Sequence, residues 1–289
     1  LAEERWSDIR PLGPGEKGRS GAAGRFRITA VMAALARVSG DVEALVAVQK
    51  RDLSTPYDFL TIAETYGKTG KGDLAIEWAE KGVAAFPDRP DPRLTEFLAD
   101  RYLGKGRGEE AMALLWAQFT RRPRLPEYQA LRKGATRTRA WPAWRQKALE
   151  LIREQTEEAG ESADAPCFLQ RQDRSRLVEI LLWEKRIDAA WEEARSGGCS
   201  AALWLQLARE RERMHPEDAV PIYVSEIERA LRSANDRAYH TAVDLLKRID
   251  GLMVRLGRKV EFDRMLVSLR TTHKAKRNLL KLLDRTSWA

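Results

Sequence analysis

The chain has 289 residues, 43% of them apolar and 33% charged, and its formal net charge is +8 at pH 7. It can bury a sizeable core, in one elongated domain or two compact ones, and its basic balance favours acidic partners. No run approaches the ~20 apolar residues of a membrane span, no signal peptide is recognisable, and two cysteines with three scattered histidines exclude a disulfide framework and metal-ligand spacing. We therefore expect a cytoplasmic protein with no membrane partner and no cofactor.

Residues 1–27 are polar and proline-broken, and we expect a flexible linker or the remnant of a preceding segment. Within them GPGEKGRS, residues 13–20, satisfies G-x-G-x-x-G and misses the P-loop pattern only at Arg19. A phosphate loop must follow a buried strand, which RWSDIRPL cannot form. A second signal, GKT at 67–69, lacks the glycine that a P-loop needs at position 62, where Ile62 stands. The sequence thus predicts turns and a linker rather than a nucleotide site.

Apolar residues recur at spacings of three and four in segment after segment, and the alternation typical of strands is missing. The first such segment is residues 28–38, whose predicted apolar face consists of Ile28, Val31, Met32, Leu35 and Val38. Gly40 and Asp41 then stop this helix and cap the next. Helix follows helix through short glycine-containing turns, so we predict an all-α fold.

Residues 28–155 contain an internal repeat. Phe59, Ile62, Ala63, Tyr66, Ala75 and Pro87 have counterparts 36 residues later in Thr95, Leu98, Ala99, Tyr102, Ala111 and Pro123. The spacing resembles the tetratricopeptide pattern, a helix–turn–helix unit of about 34 residues. The period is two residues longer, and Thr95 stands at the pattern's tryptophan position. A third copy begins near Trp204. The prediction is a tetratricopeptide-like helical-hairpin repeat solenoid.

The acidic, small-residue stretch at 156–170 predicts an exposed connection. Beyond it, residues 171–289 predict further helical hairpins. Residues 236–285 read as two longer helices that turn near Gly257 and close the array as a C-terminal capping pair with a basic surface.

Three runs resemble the long helical C-terminal region of bacterial SWIM zinc-finger proteins: GDVEALVAVQKRDLSTPYDFLTIAETYGKTGKGDLAIEWAEKGVAAFPDRPDPRLTEFLADRY, WPAWRQKALELI and HKAKRNLLKLLD. In that family a C-x-C…C-x-H metal module precedes the helices and is thought to engage DNA or protein. This sequence has no such motif, so zinc binding does not carry over. The start at Leu1 is what we expect of a fragment without the finger; a relative that lacks a finger is the alternative.

No nucleophile–base pair or metal cluster is visible, so we expect no enzyme. We predict instead a scaffold that binds a protein or peptide on the inner wall formed by the first helix of each hairpin. The alternative for these residues is the ordinary solvated side of amphipathic helices. The predicted wall residues are Tyr57, Thr61, Glu64, Lys68, Arg93, Glu96, Phe97, Asp100, Arg209 and Arg213.

A second hypothesis is accessory nucleic-acid binding through two basic bands. A contact limited to the backbone phosphates would be non-specific and strongly salt-dependent. The candidate residues are Arg121, Arg122, Arg132, Lys133, Arg137, Arg139, Lys274, Lys276, Arg277 and Lys281.

Overall fold

The computed structural model describes residues 6, 10–16, 22–160, 173–233, 235–286 and 288, without the side chains of 22–24 and 158–160. Arg19 and Cys167 lie outside the described residues. The described part contains fifteen helices and no strand, which confirms the all-α prediction. The helices are α1 (Ala22–Val38), α2 (Val42–Gln49), α3 (Pro56–Lys68), α4 (Gly72–Ala85), α5 (Pro92–Gly104), α6 (Gly108–Arg121), α7 (Leu125–Arg137), α8 (Trp141–Gly160), α9 (Ser175–Trp183), α10 (Ile187–Gly197), α11 (Ala201–Arg211), α12 (Pro216–Arg232), α13 (Asp236–Arg255), α14 (Lys259–Thr272) and α15 (Arg277–Leu283).

The chain divides into two compact units, unit 1 (Leu1–Ala148) and unit 2 (Leu149–Ala289). The division falls inside α8, which runs without a break through the start of the predicted connection at 156–170. Residues 161–170 of that connection lie outside the described residues.

Unit 1 consists of tetratricopeptide-like hairpins, as the 36-residue echo predicts. From α3 to α7 each helix packs against the next, so α3–α4 and α5–α6 form hairpins. In addition, α3 contacts α5 and α5 contacts α7. The first helices α3, α5 and α7 therefore lie side by side in a row, which is the arrangement that stacked helical repeats produce.

The two hairpins begin and turn by the same local chemistry. Pro56 and Pro92 stand at the first helical position, where a missing N–H costs nothing. Asp91 caps its helix by accepting the backbone N–H of Arg93 at 2.9 Å. Gly70 and Gly106 turn the chain between the helices with φ of +79° and +77°, a conformation that glycine adopts without strain.

A hydrogen-bonded triad ties the first hairpin to the helix before it. The hydroxyl of Tyr66, at the end of α3, donates to Glu43 on α2 at 3.2 Å. Lys71 Nζ donates to the same carboxylate at 2.6 Å. Burial and the bond to Glu43 raise the pKa of the Tyr66 hydroxyl, while the bond from Lys71 lowers the pKa of Glu43.

A triad of the same kind joins α5 to α4, with Tyr102 and Arg107 each 36 residues after Tyr66 and Lys71, and Glu80 37 residues after Glu43. The Tyr102 hydroxyl donates to Glu80 at 2.6 Å, and Arg107 Nη1 donates to that carboxylate at 3.3 Å. The Arg107 guanidinium also stacks 3.8 Å from the centroid of the Tyr102 ring. Burial and the bond to Glu80 raise the pKa of Tyr102 to about 12. Each first helix is thus fixed to the second helix of the hairpin before it.

The N-terminal part of unit 1 differs from the sequence prediction in two ways. Residues 10–16 lie against residues 51–54, where the backbone N–H of Leu53 donates to the Leu12 carbonyl at 2.9 Å and the N–H of Leu12 donates to the Arg51 carbonyl at 3.0 Å. Helix α1 begins at Ala22. The expectation of a flexible linker up to residue 27 was therefore too long, because backbone hydrogen bonds hold its described central part.

The predicted apolar face of α1 was wrong at three of its five positions. Val31, Leu35 and Val38 are 50%, 56% and 90% exposed. Ala33 and Ala36 are buried instead. Helix α1 packs against α2. The apolar residues of α1 lie on two sides of the helix, and α2 covers only one of them.

Unit 2 continues the hairpin pattern through α9–α10 and α11–α12. The predicted third copy corresponds to α11–α12, in which Leu207, Ala208, Ala219, Tyr223 and Ile227 are buried. The predicted capping pair is α13 and α14, and Gly257 turns between them with φ of +69°. A further helix, α15, packs against α13, because Leu279 and Leu283 supply it with a buried side of its own.

Candidate functional site

The exposed sides of α3, α5 and α7 form one surface of unit 1, which we call the first-helix face. Tyr57, Thr61, Glu64 and Lys68 recur at spacings of three and four and therefore share one side of α3. Arg93, Glu96, Phe97 and Asp100 do so on α5. The Arg93 guanidinium lies 4.9 Å from the centroid of the Tyr57 ring, so the structure brings the two predicted sets together.

Helix α7 adds two cations to this face. Lys133 Nζ lies 2.7 Å and Arg137 Nη1 3.2 Å from the carboxylate of Asp100 on α5. Both cations belong to the predicted nucleic-acid band, whereas Asp100 belongs to the predicted peptide wall. The structure thus merges part of the two predicted sets into one ion-pair cluster.

Most other charges of the first-helix face also have a partner within unit 1. Glu64 pairs with Lys68 at 3.8 Å across one turn. Gln118 on α6 donates to Glu96 at 3.3 Å. The guanidinium of Arg93 donates to Asp91 at 2.7 Å and keeps the pKa of that carboxyl below its usual value. The Glu64–Lys68 pair is exposed, so it contributes only about 0–1 kcal/mol to stability.

The sequence prediction missed Arg101 and Gly67. The Arg101 guanidinium lies 4.8 Å from the centroid of the Phe97 ring on the same helix. It also lies across α3, because a Cβ on Gly67 would be 2.7 Å from Arg101 Nη2. The sequence spacing could have indicated the Arg101–Phe97 contact, since Arg101 follows Phe97 by one helical turn. The contact of Arg101 with Gly67 depends on the packing of α3 against α5, which the spacing does not show.

Arg209 and Arg213 belong to unit 2. Both side chains are exposed, and the Arg213 carbonyl accepts a hydrogen bond from Arg255 at 2.8 Å. Their contribution to a common wall with α3 and α5 stays a prediction.

The remaining cations of the first basic band are held in different ways. Arg121 and Arg122 are exposed at the end of α6, and Arg121 donates to the Pro87 carbonyl at 2.9 Å. The Arg132 guanidinium lies 5.7 Å from the Trp141 ring. Arg139 ends the band in a left-handed turn with φ of +57°.

The C-terminal band in unit 2 is less engaged. Lys276 donates to the Leu231 carbonyl at 2.8 Å and lies over the Tyr239 ring. Lys274, Arg277 and Lys281 are exposed, and none of the three has an ion pair with the described residues. They give α15 and the residues just before it a small positive surface.

The first-helix face offers carboxylates, ammonium and guanidinium groups and aromatic rings, which can recognise a ligand by charge, hydrogen bonds and stacking.

Within the described ranges no three His, Cys, Asp or Glu side chains are grouped to hold a metal ion. The half-buried thiol of Cys199 has a pKa raised to about 12 by burial and by Asp173, so it is a thiol rather than a thiolate at neutral pH. None of the helices in the described part combines the length and apolar character needed to cross a bilayer.

No family model matches the chain, and no curated protein matches it significantly. It is similar to a chain in the solved structure described as "Structure of Naa15/Naa10 bound to HypK-THB", with 14% identity and a TM-score of 0.34. The match covers 82% of this chain and 38% of that one, so this chain spans well under half of its length. At this level the likeness carries no conclusion about activity.

Proposed function

We propose that the chain is a non-catalytic helical-repeat scaffold that binds an extended segment of a protein partner on the first-helix face of unit 1. The observation that carries the proposal is the row of neighbouring helices α3, α5 and α7. Together they expose aromatic side chains beside positively and negatively charged ones. The same proposal places this protein in the cytoplasm.

The ion pairs of the first-helix face favour a partner that carries both positive and negative charges. The pairs of Asp100 with Lys133 and Arg137 are exposed and weak, so a partner's basic or acidic side chain can replace either member at little cost. Tyr57 is 52% exposed and, with Arg93 stacked on it, offers a rigid ring for contact. Aromatic and arginine side chains are the residue types that contribute most to protein interfaces.

The test is a triple variant of the first-helix face, Glu64→Gln with Arg93→Gln and Asp100→Asn. A photoreactive amino acid at Thr61 first identifies the bound partner segment, and the affinity of the purified segment is then measured by calorimetry. We expect the triple variant to weaken binding at least about 10-fold, since each lost charge–charge contact at an interface contributes on the order of 1 kcal/mol.

The matched control is Glu228→Gln with Arg232→Gln and Asp244→Asn, which makes the same three charge changes at exposed positions of unit 2. It is expected to bind like the wild type. If the face variant retains every partner at wild-type affinity, the proposal is wrong.

A second candidate function is accessory nucleic-acid binding, favoured by the exposed, ion-pair-free Lys274, Arg277 and Lys281 of unit 2. The test is titration of labelled DNA and RNA at two salt concentrations with the wild type and with all three residues changed to Gln. Binding through phosphates would weaken steeply with salt, and the triple variant would reduce the salt slope by about 3. Absence of binding at low salt would eliminate this candidate.

We also propose that the chain is related to the helical region of the SWIM zinc-finger proteins. The repeated hairpins of unit 1 cover the first of the three resembling runs. The complete reading frame of the gene tests the relation: a C-x-C…C-x-H module upstream of these helices supports it, and a different upstream domain counts against it.

A further inference from the structure

A cleft of about 640 Å³ lies at one edge of unit 1. Its walls are the loop 88–92, the end of α6 and the first turn of α7. It adjoins the first-helix face, because Arg93 lines the cleft and also stacks on Tyr57.

Two of the residues that line this cleft, Glu127 and Gln118, each have a buried acceptor atom without a hydrogen bond. Glu127 is only 8% exposed, and its Oε2 atom is buried without a hydrogen bond. Gln118 Oε1 is buried and unpartnered as well, while Gln118 Nε2 is engaged with Glu96. A buried carboxylate without a donor is unfavourable, so both acceptors favour a ligand that brings N–H donors and positive charge.

The rim of the cleft has the opposite character. Arg89, Arg121 and Arg122 line it, and all three are exposed. Asp88 and Asp91 are the acidic residues nearby, and Asp91 is engaged by Arg93. A ligand that is only cationic would be repelled at this rim, whereas acidic groups beside a basic one would be attracted.

We propose that the cleft receives a basic side chain of a peptide segment whose neighbouring residues are acidic. The guanidinium or ammonium group is bound by Glu127 and Gln118, and the flanking carboxylates are bound by the rim arginines. A guanidinium suits the two separate acceptors, because its five N–H groups point in fixed directions across a plane. This deepens the proposed function, on which it rests, by giving the partner segment a charge pattern.

The test uses the blocked tripeptides Asp-Arg-Asp and Asp-citrulline-Asp as probes. Citrulline has nearly the shape of arginine but no charge. Binding to the full chain is followed by the NMR shifts of backbone amides in 88–92 and 118–127. We expect saturable shifts with Asp-Arg-Asp and at least ~10-fold weaker binding of the citrulline peptide, as loss of a charge-assisted hydrogen bond predicts.

Two variants locate the interaction. Glu127→Gln is expected to abolish the preference for arginine over citrulline, and Arg89→Gln with Arg122→Gln is expected to weaken the arginine peptide several-fold. Glu109→Gln, an exposed change on α6 away from the cleft lining, is the control and should bind like the wild type. Circular dichroism verifies folding, and Gln118→Leu replaces Glu127→Gln if the latter does not fold.

The inference is overturned if the wild type does not bind Asp-Arg-Asp, if both peptides bind equally, or if Glu127→Gln keeps the preference. Any of these outcomes leaves the first-helix face untouched, because that face is tested separately with Glu64→Gln and Asp100→Asn against the natural partner segment.

Discussion

Substitution of Gly82 by alanine probes a close helix approach in unit 1. Gly82 is buried in α4, where an added Cβ would lie 2.6 Å from Phe59 Cβ and 2.8 Å from Leu94 Cδ2. Phe59 Cγ would be 2.9 Å away. Because Phe59 Cβ is bonded directly to the backbone of α3, no side-chain rotation moves it, and the helices must separate.

Two effects of opposite sign decide the result. Alanine is the better helix former by about 1 kcal/mol, which favours the variant. Inserting a methyl group into a packed core costs about 1–3 kcal/mol, and the rigid Phe59 contacts place this site toward the upper end. The free energy of unfolding of Gly82→Ala should therefore fall by about 1–2 kcal/mol.

Gly251 supplies the matched control. It lies within α13, is exposed, and an added Cβ would meet nothing within 4 Å. The same chemical change there keeps only the propensity gain and should stabilise unit 2 by about 0.5–1 kcal/mol.

Urea unfolding measures both changes, and hydrogen exchange of amides in α3–α5 and in α13 assigns them to their units. The two variants should shift stability in opposite directions. If Gly82→Ala stabilises unit 1 as Gly251→Ala stabilises unit 2, the helices do not approach as closely as the structure places them, and the hairpin packing inferred from Gly82 is wrong.

Three further predictions follow from individual contacts. Tyr102→Phe removes the hydroxyl bonded to Glu80 and should lower the free energy of unfolding by about 1 kcal/mol in urea; an unchanged value would contradict the bond. The pKa of Tyr102 and of Tyr223 is raised to about 12, first of all by burial, so the stability that each neutral hydroxyl contributes is complete below about pH 10 and is lost as the pH rises toward 12. Each loss is about 2–3 kcal/mol, and a titration of tyrosinate absorbance in which all six tyrosines ionise near pH 10 would exclude it. Asp100→Asn frees two cations but, because the pairs are exposed, should change the urea midpoint by less than the equivalent of about 1 kcal/mol; a larger loss would show that the cluster is structural.

The hairpins of unit 1 could be predicted because their determinants are local and repeated. Pro56 and Pro92 mark the starts of first helices, and Gly70 and Gly106 mark the turns. Each of these helix-start and turn signals acts within a few residues of chain, so the 36-residue sequence repeat is sufficient to locate the hairpins.

The outward side of α1 could not be predicted in the same way. Periodicity shows which residues share a face, but it does not show whether a neighbouring helix covers that face. Val31, Leu35 and Val38 satisfy the apolar period and are nevertheless exposed, since α2 covers the opposite side.

The candidate sites depend on contacts distant in sequence, which a single chain does not reveal. Asp100 meets Lys133 only because α5 contacts α7, and the sequence placed the two residues in different hypotheses. Glu127 stands in a first helical turn, where a carboxylate is ordinarily solvated and favoured by the helix dipole. In the structure Glu127 is 8% exposed and lines the same cleft as the loop 88–92, which its position in its own helix does not reveal.

The two tyrosine triads and the first-helix face have different roles in the same architecture. Each triad places a buried hydroxyl, a carboxylate and a cation between one hairpin and the helix before it, so Tyr66 and Tyr102 set the register in which α3 and α5 stand side by side. The ion pairs on the first-helix face are exposed and contribute little to that register. A partner can therefore exchange the pairs of Asp100 without loosening the helices that present them, because the bonds that fix α3 and α5 run to α2 and α4 instead.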